Sequence, residues 1–264
     1  MTYLLTGFKG FIGGNILQEM LPKYSVCCIE KECMDDDDWK KNLETIVESI
    51  DGIMHIGAIT DTMLFDYNKM LKYNYLFSKL LFDLAKKYNK KVVYASSAAN
   101  SGVSGTPTNI YGWSKLLAEQ YGLALGGEFI ALRYFNVYGP GEEKKGKMAS
   151  VAYQAYNNSK FKLFPKSPKR DFVYIKDVVS ATIMALFEDV PNDVYEVGSG
   201  ESRTFENVLD LMDIRYIYYV EDKIPKGYQF FTKSDSNNWL PDWKPKYNLD
   251  IGIQHYKKIL DKII

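Results

Sequence analysis

The sequence predicts an α/β fold, a doubly wound parallel sheet carrying a small C-terminal cap. Three observations lead there. Short apolar runs alternate with longer stretches of helical apolar spacing between residues 2 and 135. The first of these runs leads straight into a glycine-rich turn. The chain has 264 residues, 46% of them hydrophobic and 25% charged, enough for one large α/β domain with a smaller appendage.

Residues 2–5 (Thr2, Tyr3, Leu4, Leu5) read as a short buried strand. It runs into Thr6, Gly7, Phe8, Lys9, Gly10, Phe11, Ile12 and Gly13, a G-x-x-G-x-x-G turn. A helix is predicted over 15–21 from Ile16, Leu17, Met20 and Leu21, and Pro22 stops it. Strand, glycine turn and helix start together make an anion site. The glycines admit a pyrophosphate close to the backbone, and the helix start offers free N–H groups at its positive end. This is the dinucleotide site of a Rossmann-type sheet, although a plain tight turn would use the same glycines.

The next elements follow in alternation. Residues 25–30 read as strand two, ending at Glu30, where an acid accepts from a ribose 2′-hydroxyl and repels a 2′-phosphate. The run Asp35, Asp36, Asp37 and Asp38 is read as an N-cap and acidic first turn for a helix over 39–50 rather than as a metal site. A strand over 51–56 ends at His55, Ile56, Gly57 and Ala58. A long helix is predicted over 70–88, a Val-rich strand over 91–97, a helix over 110–125 and a strand over 129–135. Beyond residue 198 a helix over 205–212, a strand over 215–220 and a helix over 251–264 are expected. The predicted domains are 1–140 with 171–197 for the dinucleotide, and 141–170 with 198–264 for the cap. Ligands of parallel sheets sit beyond the carboxyl ends of the strands. Residues 7–13, 57–60, 96–97 and 136–139 all fall at such ends.

One helix carries chemistry. Tyr111 and Lys115 form Y-x-x-x-K and lie one turn apart. A phenol loses its proton near pH ~10. An ammonium beside it is expected to lower that value, so that the tyrosine takes a proton near neutral pH. Two unrelated helix-surface residues would match the same pattern. The 33 acidic and 33 basic side chains balance, which gives no reason to expect nucleic acid or an acidic membrane as partner. There is no apolar run of about 18 residues and no signal-peptide pattern at the start. Cys27, Cys28 and Cys33 crowd one segment and read as reduced thiols, so a cytoplasmic protein is expected. His55 and His255 stand far apart, and no metal site is expected.

The set 6–13, Tyr94 to Ser97, Tyr111 to Lys115, and Arg133, Tyr134, Phe135, Asn136, Val137, Tyr138, Gly139 and Pro140 resembles the extended short-chain dehydrogenases/reductases, a group of nucleotide-sugar epimerases and dehydratases. Further stretches resemble its ADP-glycero-manno-heptose 6-epimerase branch: Lys144, Lys145 and Gly146; Met148 to Ala152; Lys169 to Tyr174 with Asp177 and Val178; and Tyr228, Gln229, Phe231, Thr232 and Asp235.

This resemblance implies an epimerase that works through a transient 6-ketone with bound NAD(P). Tyr111 would be the acid/base, Lys115 would also hold the nicotinamide ribose, and Ser97, favoured over Ser96, would hydrogen-bond the reacting oxygen. Lys145 would be the second acid/base, with a solvated loop charge as the alternative. Gly7, Gly10, Phe11, Ile12, Gly13, Glu30, Lys31, Ile56, Gly57, Ala58, Ile59, Thr60, Asn74 and Val137 would border the cofactor. For Asn74 a helix-surface amide is the plain alternative. Asn136, Phe164, Pro165, Lys166, Ser167, Arg170 and Tyr228 would line the sugar-nucleotide pocket, with Arg170 on the diphosphate. An ion pair of Arg170 with Asp171 or Asp177 is the competing reading. Lys147, Gln154 and Gly227 stand where the branch has serine, histidine and arginine. The branch uses NADP and Lys31 could meet a 2′-phosphate, whereas Glu30 points to NAD. A homo-oligomer is also implied. The alternatives are a 4-epimerase, dehydratase or keto-sugar reductase on another nucleotide sugar, and a non-enzymatic dinucleotide-binding regulator. A dehydratase usually carries Asp-Glu after the catalytic hydroxyl, where this chain has Ala98 and Ala99.

Overall fold

The computed structural model describes residues 1–102, 105–158, 161–220 and 228–262. Gly227 lies outside the described residues. The chain divides into two compact units, Met1–Arg133 with Val179–Tyr195, and Tyr134–Val178 with Glu196–Ile264.

The first unit is built on β1 (Thr2–Thr6), α1 (Phe11–Met20), β2 (Ser25–Ile29), α2 (Trp39–Ser49), β3 (Gly52–His55), α3 (Tyr67–Met70), a π-helical segment (Leu71–Leu76), α4 (Phe77–Lys87), β4 (Lys91–Ser97), α5 (Ile110–Leu125) and β5 (Phe129–Tyr134). With β9 (Val194–Val197) the strands form one sheet of order β2-β1-β3-β4-β5-β9. β1 pairs in parallel with both β2 and β3, and β3 with β4. Strand residues alternate between faces. Leu4, Ile53, Val92, Tyr94 and Ala131 pack with Leu43 and Val47 of α2 and Phe77, Leu81 and Phe82 of α4. Leu5, Met54, Val93 and Ile130 are just as buried and face the other way. Burial on both faces explains why these strands are apolar throughout instead of alternating.

The second unit holds β6 (Asn136–Tyr138), α6 (Val151–Tyr156), β7 (Phe161–Leu163), β8 (Lys169–Tyr174), β10 (Ser202–Thr204), α8 (Phe205–Leu211), β11 (Tyr216–Tyr218) and α9 (Leu249–Leu260), and α7 (Ile175–Phe187) begins in it. β8 is the centre of a three-stranded sheet, parallel to β6 and antiparallel to β10. The Asp171 carboxylate, fully buried, gathers the loops around this sheet. It accepts from Ser199 N (2.6 Å) and Oγ (2.7 Å), Gly200 N (3.0 Å), and Ser234 N (2.9 Å) and Oγ (2.7 Å).

Several predicted boundaries move, each for a physical reason. α1 starts at Phe11, not at 15. Gly13 is inside the helix because a Cβ there would lie 2.1 Å from the Gly7 carbonyl oxygen, so contact with another turn selects this glycine. The aspartate run does not cap α2 as expected. Asp38 occupies the N-cap without a side-chain bond, and α2 has no acidic residue in its first turn. Asp36 instead accepts from Asp38 N at 2.8 Å. The 70–88 helix contains the π-segment, and the last helix runs Leu249–Leu260, capped by Asn248 accepting from Ile251 N at 2.9 Å.

Candidate active site

The glycine turn lies where the strand order reverses. β2 follows β1 on one side and β3 adjoins it on the other, so the carboxyl ends of β1 and β3 frame a topological switch point. The Gly7 turn and the Gly57 loop touch there. Gly7 has φ 75°, and a Cβ on it would lie 2.5 Å from Gly57 Cα. Only glycine fits that contact and that backbone. Gly10, the N-cap of α1, brings no side chain to the first turn. The arrangement leaves bare backbone at a helix start, which fits a pyrophosphate. Glu30 follows β2, and its Oε1 accepts from Lys9 N at 2.7 Å, tying strand end to glycine turn. Lys31 is exposed and pairs with Glu32 at 3.2 Å. Phe11 is buried, Ile12, Ile56, Gly57, Ala58 and Ile59 are half-buried, and Thr60 is exposed.

The Y-x-x-x-K helix starts at Asn109, whose side chain accepts from Gly112 N at 2.8 Å. A Cβ on Gly112 would lie 2.8 Å from Ala99 O, so this helix end lies close against the chain that leaves β4. The two serines of β4 point to different partners. Ser96 donates to Glu119 Oε2 at 2.6 Å, while the Ser97 hydroxyl accepts from Ala99 N at 3.2 Å and acts on the Tyr111 phenol. Lys115 is 2% exposed, with its Nζ 4.1 Å from the Tyr94 ring centroid. Burial lowers its pKa to about 7, and Glu119 one turn on opposes that shift. The expected acidification of Tyr111 by Lys115 is not present. Burial pushes the phenol up, Ser97 pulls it down, and burial is the larger effect, while the Lys115 amine lies over the Tyr94 ring.

Glu119 is a residue the sequence reading missed. It is fully buried and accepts a forked pair from Arg133 (Nε 3.0 Å, Nη2 2.6 Å), as well as Ser96 and Asn100 Nδ2 at 3.1 Å. An acid four residues beyond the lysine is the local signal that could have drawn attention to it. Asn74 is 1% exposed, which removes the helix-surface alternative. It sits in the π-segment, a distortion that is frequent at functional sites. Its amide pins Ile59 from both sides, accepting from Ile59 N (2.8 Å) and donating to Ile59 O (2.9 Å), and it also donates to Ser114 Oγ at 3.0 Å. Ser114 Oγ donates in turn to Tyr111 O at 2.7 Å. The Ile56–Thr60 loop and the tyrosine helix are thus joined.

The remaining candidates belong to the second unit. Lys145 is half-buried while Lys144 and Lys147 are exposed, which separates it from its neighbours. Burial lowers its pKa and Glu142 opposes the shift. Glu142, also missed, is fully buried and clamps this loop by accepting from Ser150 N (2.5 Å), Ser150 Oγ (2.7 Å) and Gly139 N (3.3 Å). Gln154 is occupied by backbone, donating to Lys147 O (3.2 Å) and Ala149 O (2.6 Å). Arg170 is 8% exposed, with its guanidinium carbon 5.1 Å from the Tyr228 ring and 5.7 Å from the Phe205 ring. The ion-pair alternative fails. Asp171 holds the serine loops, Asp177 accepts from Lys246 N (2.9 Å) and Tyr247 N (3.0 Å), and among the described residues no carboxylate pairs with Arg170. Phe164 packs edge-on to Tyr228 at 5.2 Å, and Pro165 is half-buried. Lys166 and Ser167 are exposed and left-handed (φ 71° and 45°), Asn136 is exposed and Val137 buried.

These features define a class, the nucleotide-sugar enzymes of the extended dehydrogenase/reductase scaffold, and comparison makes the assignment specific. Residues 3–198 match the NAD dependent epimerase/dehydratase family, and the chain belongs to that family. It is 30% identical to the ADP-L-glycero-D-manno-heptose-6-epimerase of Cupriavidus pinatubonensis, over 90% of this chain and 91% of the relative. The crystal structure of the enzyme of the same name from Helicobacter pylori superposes with a TM-score of 0.83 at 27% identity, over 98% of this chain and 96% of that one. The UDP-N-acetylglucosamine 4-epimerase of Methanobrevibacter ruminantium shares the fold (TM-score 0.87, 24% identity, 100% and 99% coverage). Among the described residues no helix is long and apolar enough to cross a membrane, and no three His, Cys, Asp or Glu side chains group as metal ligands.

Proposed function

We propose that the chain interconverts the C6 epimers of ADP-glycero-manno-heptose, with the first unit binding cofactor and the second binding substrate. The observation that carries this is the half-buried Tyr111, under the influence of Ser97 and one turn before a buried Lys115, at strand ends that also present the glycine turn. The likeness to heptose epimerases over nearly the whole chain supports the choice of sugar.

The glycine turn, the Ile56–Thr60 loop and Lys115 would hold an oxidised nicotinamide dinucleotide, which would supply hydride acceptance and its return. Tyr111 takes the C6 hydroxyl proton while Ser97 holds the oxygen, leaving a 6-ketone. Return of hydrogen to the other face needs a second acid/base. Lys145 suits it, since burial makes its amine easier to deprotonate than a solvated lysine. The raised phenol pKa makes one demand: Lys115 must carry charge when Tyr111 acts. Its value of about 7 keeps that charge within reach at neutral pH. Arg170, buried and flanked by Tyr228 and Phe205, is the diphosphate ligand, and Asn136, Lys147, Gln154, Phe164, Pro165, Lys166, Ser167 and Tyr228 surround the sugar nucleotide.

We further infer NAD over NADP. Glu30 holds a carboxylate at the end of β2, and Lys31 is engaged with Glu32. A homo-oligomer in the cytoplasm accords with the family likeness and the three free cysteines. The test is incubation of the purified protein with ADP-D-glycero-manno-heptose, following product stereochemistry and nicotinamide absorbance together. Inverted C6 at constant absorbance supports the reading. Stoichiometric loss of reduced cofactor would indicate a keto-sugar reductase, and inversion at another carbon a different epimerase.

A further inference from the structure

His55 has no place in the chemistry above, yet it is fully buried and both of its ring nitrogens are engaged. Nδ1 lies 2.7 Å from Thr6 Oγ1 and Nε2 lies 2.7 Å from Ser78 Oγ. The directions of these bonds follow from counting protons. A serine hydroxyl has one proton, and Ser78 gives its own to Asn74 O at 2.7 Å. Toward His55 it can then only accept, so Nε2 carries the ring proton. A neutral imidazole with Nε2–H leaves Nδ1 as an acceptor. Thr6 must therefore donate to Nδ1, which leaves its oxygen to accept from Gly57 N–H at 3.0 Å. The chain of bonds runs one way on each side of the ring, and each proton is used once.

The packing keeps the ring neutral and in place. Phe77, Phe82 and Tyr94 surround it with centroids 5.5 to 5.8 Å away. Burial, followed by the nearby Lys115 charge, lowers its pKa to about 3. The two ends of the chain of bonds matter. One is the Gly57 amide, in the loop that touches the Gly7 turn. The other is the carbonyl of Asn74, whose side chain pins Ile59 of the same loop.

We propose that His55 is a positioning residue for dinucleotide binding: a neutral Nε2–H imidazole that orients Thr6 to hold the Gly57 amide, and so fixes the loop against the glycine turn. It rests on the dinucleotide reading of that turn. A ring of the other tautomer would set two acceptors, Nε2 and the Ser78 oxygen, face to face or strip Asn74 O of its donor, and it would leave the Thr6 hydroxyl proton without its acceptor; a buried unmet donor is costly.

The experiment uses the full chain and NAD⁺. The chain has only two histidines, so long-range ¹⁵N–¹H correlation spectra can separate His55 from His255. His55 is expected as the Nε2–H tautomer in the unsubstituted protein. Thr6→Val and His55→Phe should each weaken NAD⁺ binding by about tenfold, the loss of one buried hydrogen bond, as read by calorimetry. The double variant should be no weaker than either single one, because both cut the same chain. Hydrogen exchange at the Gly57 amide should quicken in Thr6→Val. An Nδ1–H tautomer, additive losses or unchanged affinity in Thr6→Val would overturn the proposal. Should His55→Phe fail to fold, Ser78→Ala replaces it and is expected to give mixed tautomers. Failure of the unsubstituted protein to bind NAD⁺ would refute the dinucleotide reading instead. The tautomer and the Gly57 exchange rate would still decide the role of His55.

Discussion

Lys115→Met should change how stability depends on pH. The lysine pKa drops from 10.5 to about 7 in the folded chain. Between those values the unfolded chain holds a proton that the folded chain does not, so stability rises as the pH is raised from about 7 toward 10.5 and is flat below. Each pH unit in that window is worth about 1.4 kcal/mol. The side chain is 2% exposed, so solvent screening takes little away. Allowing for half-titration at the start, the protein should gain about 2 kcal/mol between pH 7 and pH 9 relative to the methionine variant. Methionine keeps the stem that fills the space under α5 and removes only the titrating amine. The assay is urea unfolding of both proteins at pH 7, 8 and 9, monitored by tryptophan fluorescence and compared as a difference at each pH. Other titrating groups cancel in that difference. Parallel curves would show that Lys115 keeps an ordinary pKa, and the argument that its charge is adjustable near neutrality would fall with it.

Three other outcomes are expected. Tyr111→Phe should lower kcat by roughly 10²–10⁴-fold, the range for loss of a general acid/base, with NAD⁺ affinity within about threefold of the unsubstituted protein; retained turnover would remove Tyr111 from its role. Gly13→Ala sets a Cβ 2.1 Å from Gly7 O and 2.7 Å from Gly7 C, backbone atoms that cannot yield cheaply, so calorimetry should detect no NAD⁺ binding. Asp171→Ala removes the acceptor of five hydrogen bonds and strands the donors of two loops; it should cost roughly 3–5 kcal/mol in urea unfolding.

Elements that announce themselves locally were legible in the sequence. β4 and α5 run Lys91–Ser97 and Ile110–Leu125, where the apolar pattern placed them, since a Val-rich run and an unbroken helical period need no distant partner. Gly13 was read as part of a turn because its reason for being glycine, the Gly7 carbonyl, is a tertiary contact. The π-segment stayed hidden because its apolar residues keep ordinary helical spacing. Within the site, Tyr111 and Lys115 were recognisable by spacing, but the direction in which each would titrate was not. That depends on what each side chain faces, and Lys115 faces Tyr94. Glu142 and His55 act through partners distant in the sequence or through backbone groups, for which no local pattern exists, and Glu119 has a local cue in its place one turn beyond Lys115 but none for its pairing with Arg133.

The edge strand β9 begins at Val194, whereas its neighbour β5 is complete by Tyr134. During synthesis the second unit's first segment must therefore emerge before the first unit can close its sheet. Until then β5 presents open backbone hydrogen-bonding groups along an apolar strand, the kind of edge that recruits foreign strands. The nascent protein is most exposed to misassembly in that interval, and ribosome-stalled chains ending before residue 194 are where chaperone dependence should be greatest.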